Sequence, residues 1–82
     1  MIIWKLKPFL ERHNISAYAL AKQVAPKLAS NTVYSLVRET PKRVDMESLE
    51  MILIALKELT GKKVDIPQLL EYKEGKKLKV KS

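Results

Sequence analysis

The chain has 82 residues, no cysteine, one histidine, and a net charge of +7 from 16 Lys and Arg against 9 Asp and Glu. A chain of this length forms one domain with a modest core, burying about 60–65% of the surface its unfolded form exposes. The missing cysteines exclude disulfides and thiolate metal sites.

The longest apolar run, Met51–Leu56, is far shorter than a membrane span. Lys5, Lys7 and Pro8 interrupt the N-terminal apolar stretch, unlike a signal peptide. The expectation is a soluble, cytoplasmic protein. The positive excess is uneven. Residues 16–43 carry Lys22, Lys27, Arg38, Lys42 and Arg43 against Glu39, whereas residues 44–72 hold more acids than lysines. Residues 73–82 are again strongly basic, with five lysines against Glu74. A polyanionic partner is implied, met by a face other than the acidic 44–72 segment.

Ile2, Leu6, Phe9, Leu10 and His13 fall at helical spacing and predict a first amphipathic helix. Proline is tolerated only in a first turn, so Pro8 sets the start of the regular helix near Leu6 or Lys7. Residues 2–5 are then either extended or a distorted turn. After the break at Asn14-Ile15, Ser16 can cap a second helix running to about Val24, with Leu20, Ala21 and Val24 inward. Pro26 closes it, since the residue before a proline avoids the α region.

A third helix starts at Ala29 or Ser30, places Val33, Leu36 and Val37 on one side, and ends at Thr40-Pro41. Asp45 is the N-cap of a fourth, with Val44 and Leu49 as its hydrophobic staple. Leu49, Ile52, Leu53 and Leu56 form its apolar stripe, and Gly61 is its stop. Met46, Met51 and Ile54 lie off that stripe, as a subunit contact or as packing for later segments. Asp65 is expected to cap a short fifth helix with Pro67 in its first turn and Leu69, Leu70 and Tyr72 as its apolar face. The tail, residues 73–82, reads as flexible or as an edge strand over 77–81 that forms on pairing.

Two short helices joined by a tight connection, with a small residue midway along the first, describe a helix-turn-helix at about 16–39, and Ala21 is that small residue. The segments Ile15–Lys22, Asn31–Arg38 and Lys42–Leu49, containing the run ALAK, NTVYSLVR and KRVDMESL, resemble the lambda-repressor-like (Cro/CI-type, XRE) transcriptional regulators. The likeness covers residues 1–72 and points to the compact subgroup that has only the DNA-binding domain. It implies an all-α, five-helix fold, with short extended terminal segments left open. It also implies binding to double-stranded DNA in the major groove, usually as a homodimer on a palindromic site, and most often repression.

On that resemblance Val33 and Leu36 match the buried side of the reading helix, and Ser30, Asn31 and Ser35 match positions facing base edges. Asn31 is the favoured specificity determinant, because its amide can pair bidentately with adenine. Thr32 and Tyr34 match sugar-phosphate or thymine-methyl contacts. Tyr18, Lys22, Arg38, Lys42 and Arg43 match phosphate contacts on either flank. Three features depart from the family pattern. Ala17 stands where many relatives have a phosphate-anchoring glutamine, the connection Ala25–Ala29 is about two residues longer, and Glu39 replaces a common glycine.

Trp4 reads as the edge of the core, and His13 as a cap on helix carbonyls. With only Gly61 and Gly75 there is no phosphate-binding glycine loop, and no metal set or nucleophile–base pair is visible. No enzyme activity, cofactor or membrane role is expected. The rival readings are an antitoxin-like module that binds a partner protein through its tail as well as its own operator, and a nonspecific nucleic-acid or nucleoid binder.

Overall fold

The computed structural model describes residues 1–74. A strand β1 (Ile2–Trp4) leads into four α-helices: α1 (Leu6–Arg12), α2 (Ala17–Val24), α3 (Ser30–Arg38) and α4 (Met46–Thr60). A 3-10 turn (Ile66–Gln68) and a second strand β2 (Leu70–Tyr72) follow.

Local chemistry explains where the helices begin and end. Pro8 is the third residue of α1, where its missing N–H costs nothing because the first-turn amides have no intrahelical partner. Asn14 ends α1 in the left-handed conformation (φ 56°). Its N–H bonds the Glu11 carbonyl and the Ile15 N–H bonds the Leu10 carbonyl, the reciprocal pattern of a Schellman stop. Ser16 caps α2, accepting from the Ala19 N–H at 3.0 Å. Asp45 caps α4 with both carboxylate oxygens engaged, one by the Ser48 N–H and one by the Ser48 hydroxyl. Gly61 closes α4 at φ 72°, a backbone that side-chain-bearing residues rarely adopt.

Leu6, Phe9, Leu10, Leu20, Ala21, Val24, Val33, Leu36, Leu49, Ile52, Ala55, Leu56 and Leu69 form one buried cluster. Helix α2 packs against both α3 and α4, and α1 packs against α3. Val44 and Leu28 are half-buried against this core, so the staple ahead of α4 and the long α2–α3 connection both have apolar anchors. No helix of the described residues is long and apolar enough to cross a membrane.

Two expectations are corrected. The chain is not all-α with five helices. Asp65 does cap the segment after α4, in a reciprocal box with Gln68, but the helical geometry lasts only Ile66–Gln68. Leu69 then enters the core, and the next three residues pair antiparallel with β1 in the register Ile2 with Tyr72, Ile3 with Glu71 and Trp4 with Leu70. So short a helix is marginal by itself, whereas the ladder gives the backbone of both segments partners. Tyr72 is consequently exposed instead of lining an apolar helix face.

The open choice at residues 2–5 resolves to an extended strand, and its partner is 70–72. Flanking bonds between Lys5 N–H and the Leu69 carbonyl (2.7 Å) and between Lys73 N–H and the Met1 carbonyl (2.8 Å) lengthen the ladder. The strand considered at 77–81, and with it most of the 73–82 tail, lies outside the described residues.

The Asp45 carboxyl is held below the usual aspartate range, first by the Ser48 hydroxyl and then by the Ser48 N–H. A depressed folded-state pKa adds stability above the ordinary aspartate range and loses it as pH falls through that range to the folded value. Asp45→Asn keeps a capping oxygen but cannot titrate. Its unfolding midpoint should therefore fall less on acidification than that of the wild type. Parallel acid profiles in thermal melts would show that Asp45 carries no such linkage.

Candidate nucleic-acid interface

Val33 and Leu36 orient α3, with Val33 wholly buried and Leu36 nearly so, while Val37 and Tyr34 are half-buried against the core. With about 100° of rotation per residue, the meridian opposite this apolar side carries Asn31, Ser35 and Arg38. All three are exposed, as are Ser30 and Thr32. The sequence-predicted base readers Asn31 and Ser35 are thus brought together, one turn apart on the same outward crest.

Ser30 and Thr32 lie to either side of that crest in the first turn. Arg38, expected as a phosphate contact, shares the crest with Asn31 and Ser35. Its guanidinium lies 4.0 Å from the Glu39 carboxylate with both side chains largely exposed, a contact too loose to remove its charge from a partner. Tyr34 turns partly into the protein, so its ring contributes to the packing of α3 as well as flanking the crest.

The start of α3 is set by Ala29, in extended conformation at the N-cap, with no side chain capping the first turn. The choice between Ala29 and Ser30 is thereby settled. Among the described residues the Asn31 amide makes no intramolecular hydrogen bond. It is not spent on closing the helix start, and the residue is exposed. The five-residue connection from Ala25 to Ala29 is accommodated by the Lys27 N–H bonding the Val24 carbonyl (2.9 Å) and by Leu28 packing inward.

The flanking residues Tyr18, Lys22, Lys42 and Arg43 are all exposed. Tyr18 and Lys22 are one turn apart on α2, and the Lys22 ammonium sits 5.8 Å from the centre of the Tyr18 ring. Lys42 and Arg43 sit in the segment between α3 and α4, beside a groove of about 360 Å³ that Ile2, Trp4, Pro41, Val44 and Leu70 also line. No ion pair engages Lys22, Lys42 or Arg43 among the described residues. On α4 the character differs, with Glu47, Glu50 and Glu58 exposed and Gln23 of α2 donating to Glu58 at 2.7 Å. No cluster of metal-ligating side chains occurs among the described residues.

Sequence reading missed one contact that bears on α3. The Trp4 indole N–H donates to the Leu36 carbonyl at 2.7 Å. The two residues are 32 positions apart, and no local pattern announces the bond. His13 behaves as read, with its Nδ1 3.1 Å from the Phe9 carbonyl and its ring stacked on Phe9.

No curated protein and no solved structure matches this chain. The family model described as the Cro/C1-type HTH DNA-binding domain matches residues 5–74, from the residue after β1 through both helices of the motif and β2. With an outward polar crest on α3, buried Ala21 in the helix before it and exposed cations on both flanks, the chain belongs to the Cro/C1-type helix-turn-helix DNA-binding domains.

Proposed function

We propose that this protein is a sequence-specific transcriptional regulator, acting as a repressor, which lays α3 in the major groove of double-stranded DNA. The observation that carries this reading is the crest of α3. Asn31, Ser35 and Arg38 point away from the buried Val33–Leu36 side and leave their hydrogen-bonding groups available for base edges. Asn31 is suited to adenine, and Arg38 is suited to guanine or to a phosphate. Ser30 reaches a base edge from the first turn, and Thr32 and Tyr34 contact sugar, phosphate or thymine methyls beside it. Tyr18 and Lys22 hold one backbone strand, and Lys42 and Arg43 hold the other.

Occupancy by a two-fold dimer on a palindromic site follows the habit of this family. It is supported by the exposed apolar side chains Met46 and Ile54 on α4. A repressor of this kind needs no chemistry of its own, since occupying the operator is sufficient.

Selecting duplexes from a random pool tests the reading as a whole, because the enriched sequences report base preference and half-site spacing together. On the enriched duplex, Asn31→Ala should cost about 1–3 kcal/mol and flatten the preference at one position per half-site. An equal loss on every duplex would make Asn31 a structural residue.

Lys42→Ala and Arg43→Ala should each weaken enriched and unrelated duplexes alike. Each should also reduce the slope of log K against log salt by about one, as expected for a lost phosphate contact. A slope that stays at the wild-type value would place that residue outside the interface.

A further inference from the structure

We propose that Trp4 is a positioning residue for DNA reading: its indole N–H holds the last turn of α3 at the angle that base contact requires. The proposal rests on α3 being the reading helix. The final four carbonyls of a helix have no intrahelical partner. In α3 the Ser35 carbonyl is satisfied by the Glu39 N–H at 3.0 Å, but the chain then turns away, with Glu39 extended (φ −135°, ψ 157°). The next carbonyl, that of Leu36, is taken by Trp4.

An indole offers a single donor, so its orientation is fixed by where that bond goes. Here the bond is partly buried, which shields it from competing water.

The anchor is itself held. Trp4 pairs with Leu70 in the ladder, and the adjacent Lys5 N–H bonds the carbonyl of Leu69, which is wholly buried. A continuous support therefore runs from the core through Leu69 and the two strands to Trp4, and from Trp4 to the Leu36 backbone. Ser35 and Arg38, in the same turn as Leu36, are two of the three crest residues. Trp4 also lines the groove beside Lys42 and Arg43. Trp4 lies just outside the stretch matched by the family, which begins at Lys5.

Trp4 is the only tryptophan, so a tryptophan auxotroph can replace it uniformly with β-(3-benzothienyl)alanine. That analogue keeps the bicyclic shape and carries sulfur in place of the N–H. Two readouts follow on the full chain: the carbonyl ¹³C shift of Leu36 without DNA, and affinity for a pool-enriched duplex and an unrelated duplex at one salt concentration.

The expected result is a folded protein whose Leu36 carbonyl signal moves upfield. Its affinity for the enriched duplex should fall about three- to ten-fold, the size of one lost hydrogen bond, while its affinity for the unrelated duplex stays unchanged. Trp4→Phe should shift both readouts in the same direction.

An unchanged Leu36 signal, an unchanged affinity for the enriched duplex, or an equal loss on both duplexes would overturn the positioning role. A wild-type protein that binds both duplexes equally would instead remove α3 as the base reader, and the positioning role with it. The Leu36 signal tells these failures apart, because it reports the anchor without DNA.

Discussion

The burial of Val33 and Leu36 is the constraint on which the rest of the molecule depends. A nine-residue helix is too short to be stable in water by propensity alone, and α3 contains three β-branched residues and two serines. It persists because one side is sealed against α1 and α2, and that seal also fixes its rotation about its own axis. Once Val33 points inward, Asn31 and Ser35 must point outward. The stability of α3 and the outward placement of its polar crest are therefore set by the same two buried side chains. Ala21 contributes by being small, since a larger side chain at this buried point would force the packed helices apart.

The two-stranded sheet closes the domain by joining its ends. Pairing residues 2–4 with 70–72 ties the start of the chain to the segment after α4, and Met1 and Lys73 exchange terminal bonds beyond it. Two strands without a third are barely stable alone. This pair is supported by Leu69 in the core and by the half-buried Trp4 and Leu70. The Lys5–Glu71 ion pair at 3.4 Å is partly exposed and adds little by comparison. Charge is distributed unevenly among the helices. Glu47, Glu50 and Glu58 are exposed on α4, whereas Lys22 of α2 and Lys42 and Arg43 of the α3–α4 connection are exposed cations.

What could be read from sequence alone follows the range of the forces involved. Ser16, Asp45 and Gly61 act on the backbone within four residues, so the helix ends they set were visible without a structure. The inward side of α3 was equally legible, because Val33, Leu36 and Val37 repeat at the helical period. The segment after Asp65 was not. Leu69, Leu70 and Tyr72 fit a short helix as well as a strand, and only the pairing of Leu70 with Trp4, across 66 positions of chain, decides between them. The Trp4–Leu36 bond was hidden for the same reason. Within the site, exposure of Asn31, Ser35, Lys42 and Arg43 was foreseeable, but the half-burial of Tyr34 and the place of Arg38 on the crest required the rotation of α3 relative to the core.

The most direct test of α3 as the DNA-reading element is amide chemical-shift mapping during titration with a duplex enriched from a random pool. The largest changes should fall on residues 30–38, on Tyr18 and Lys22, and on residues 40–43, while the exposed α4 residues Glu50 and Ile54 change least. Changes concentrated on α4, with residues 30–38 unmoved at saturation, would contradict the assignment of the reading helix.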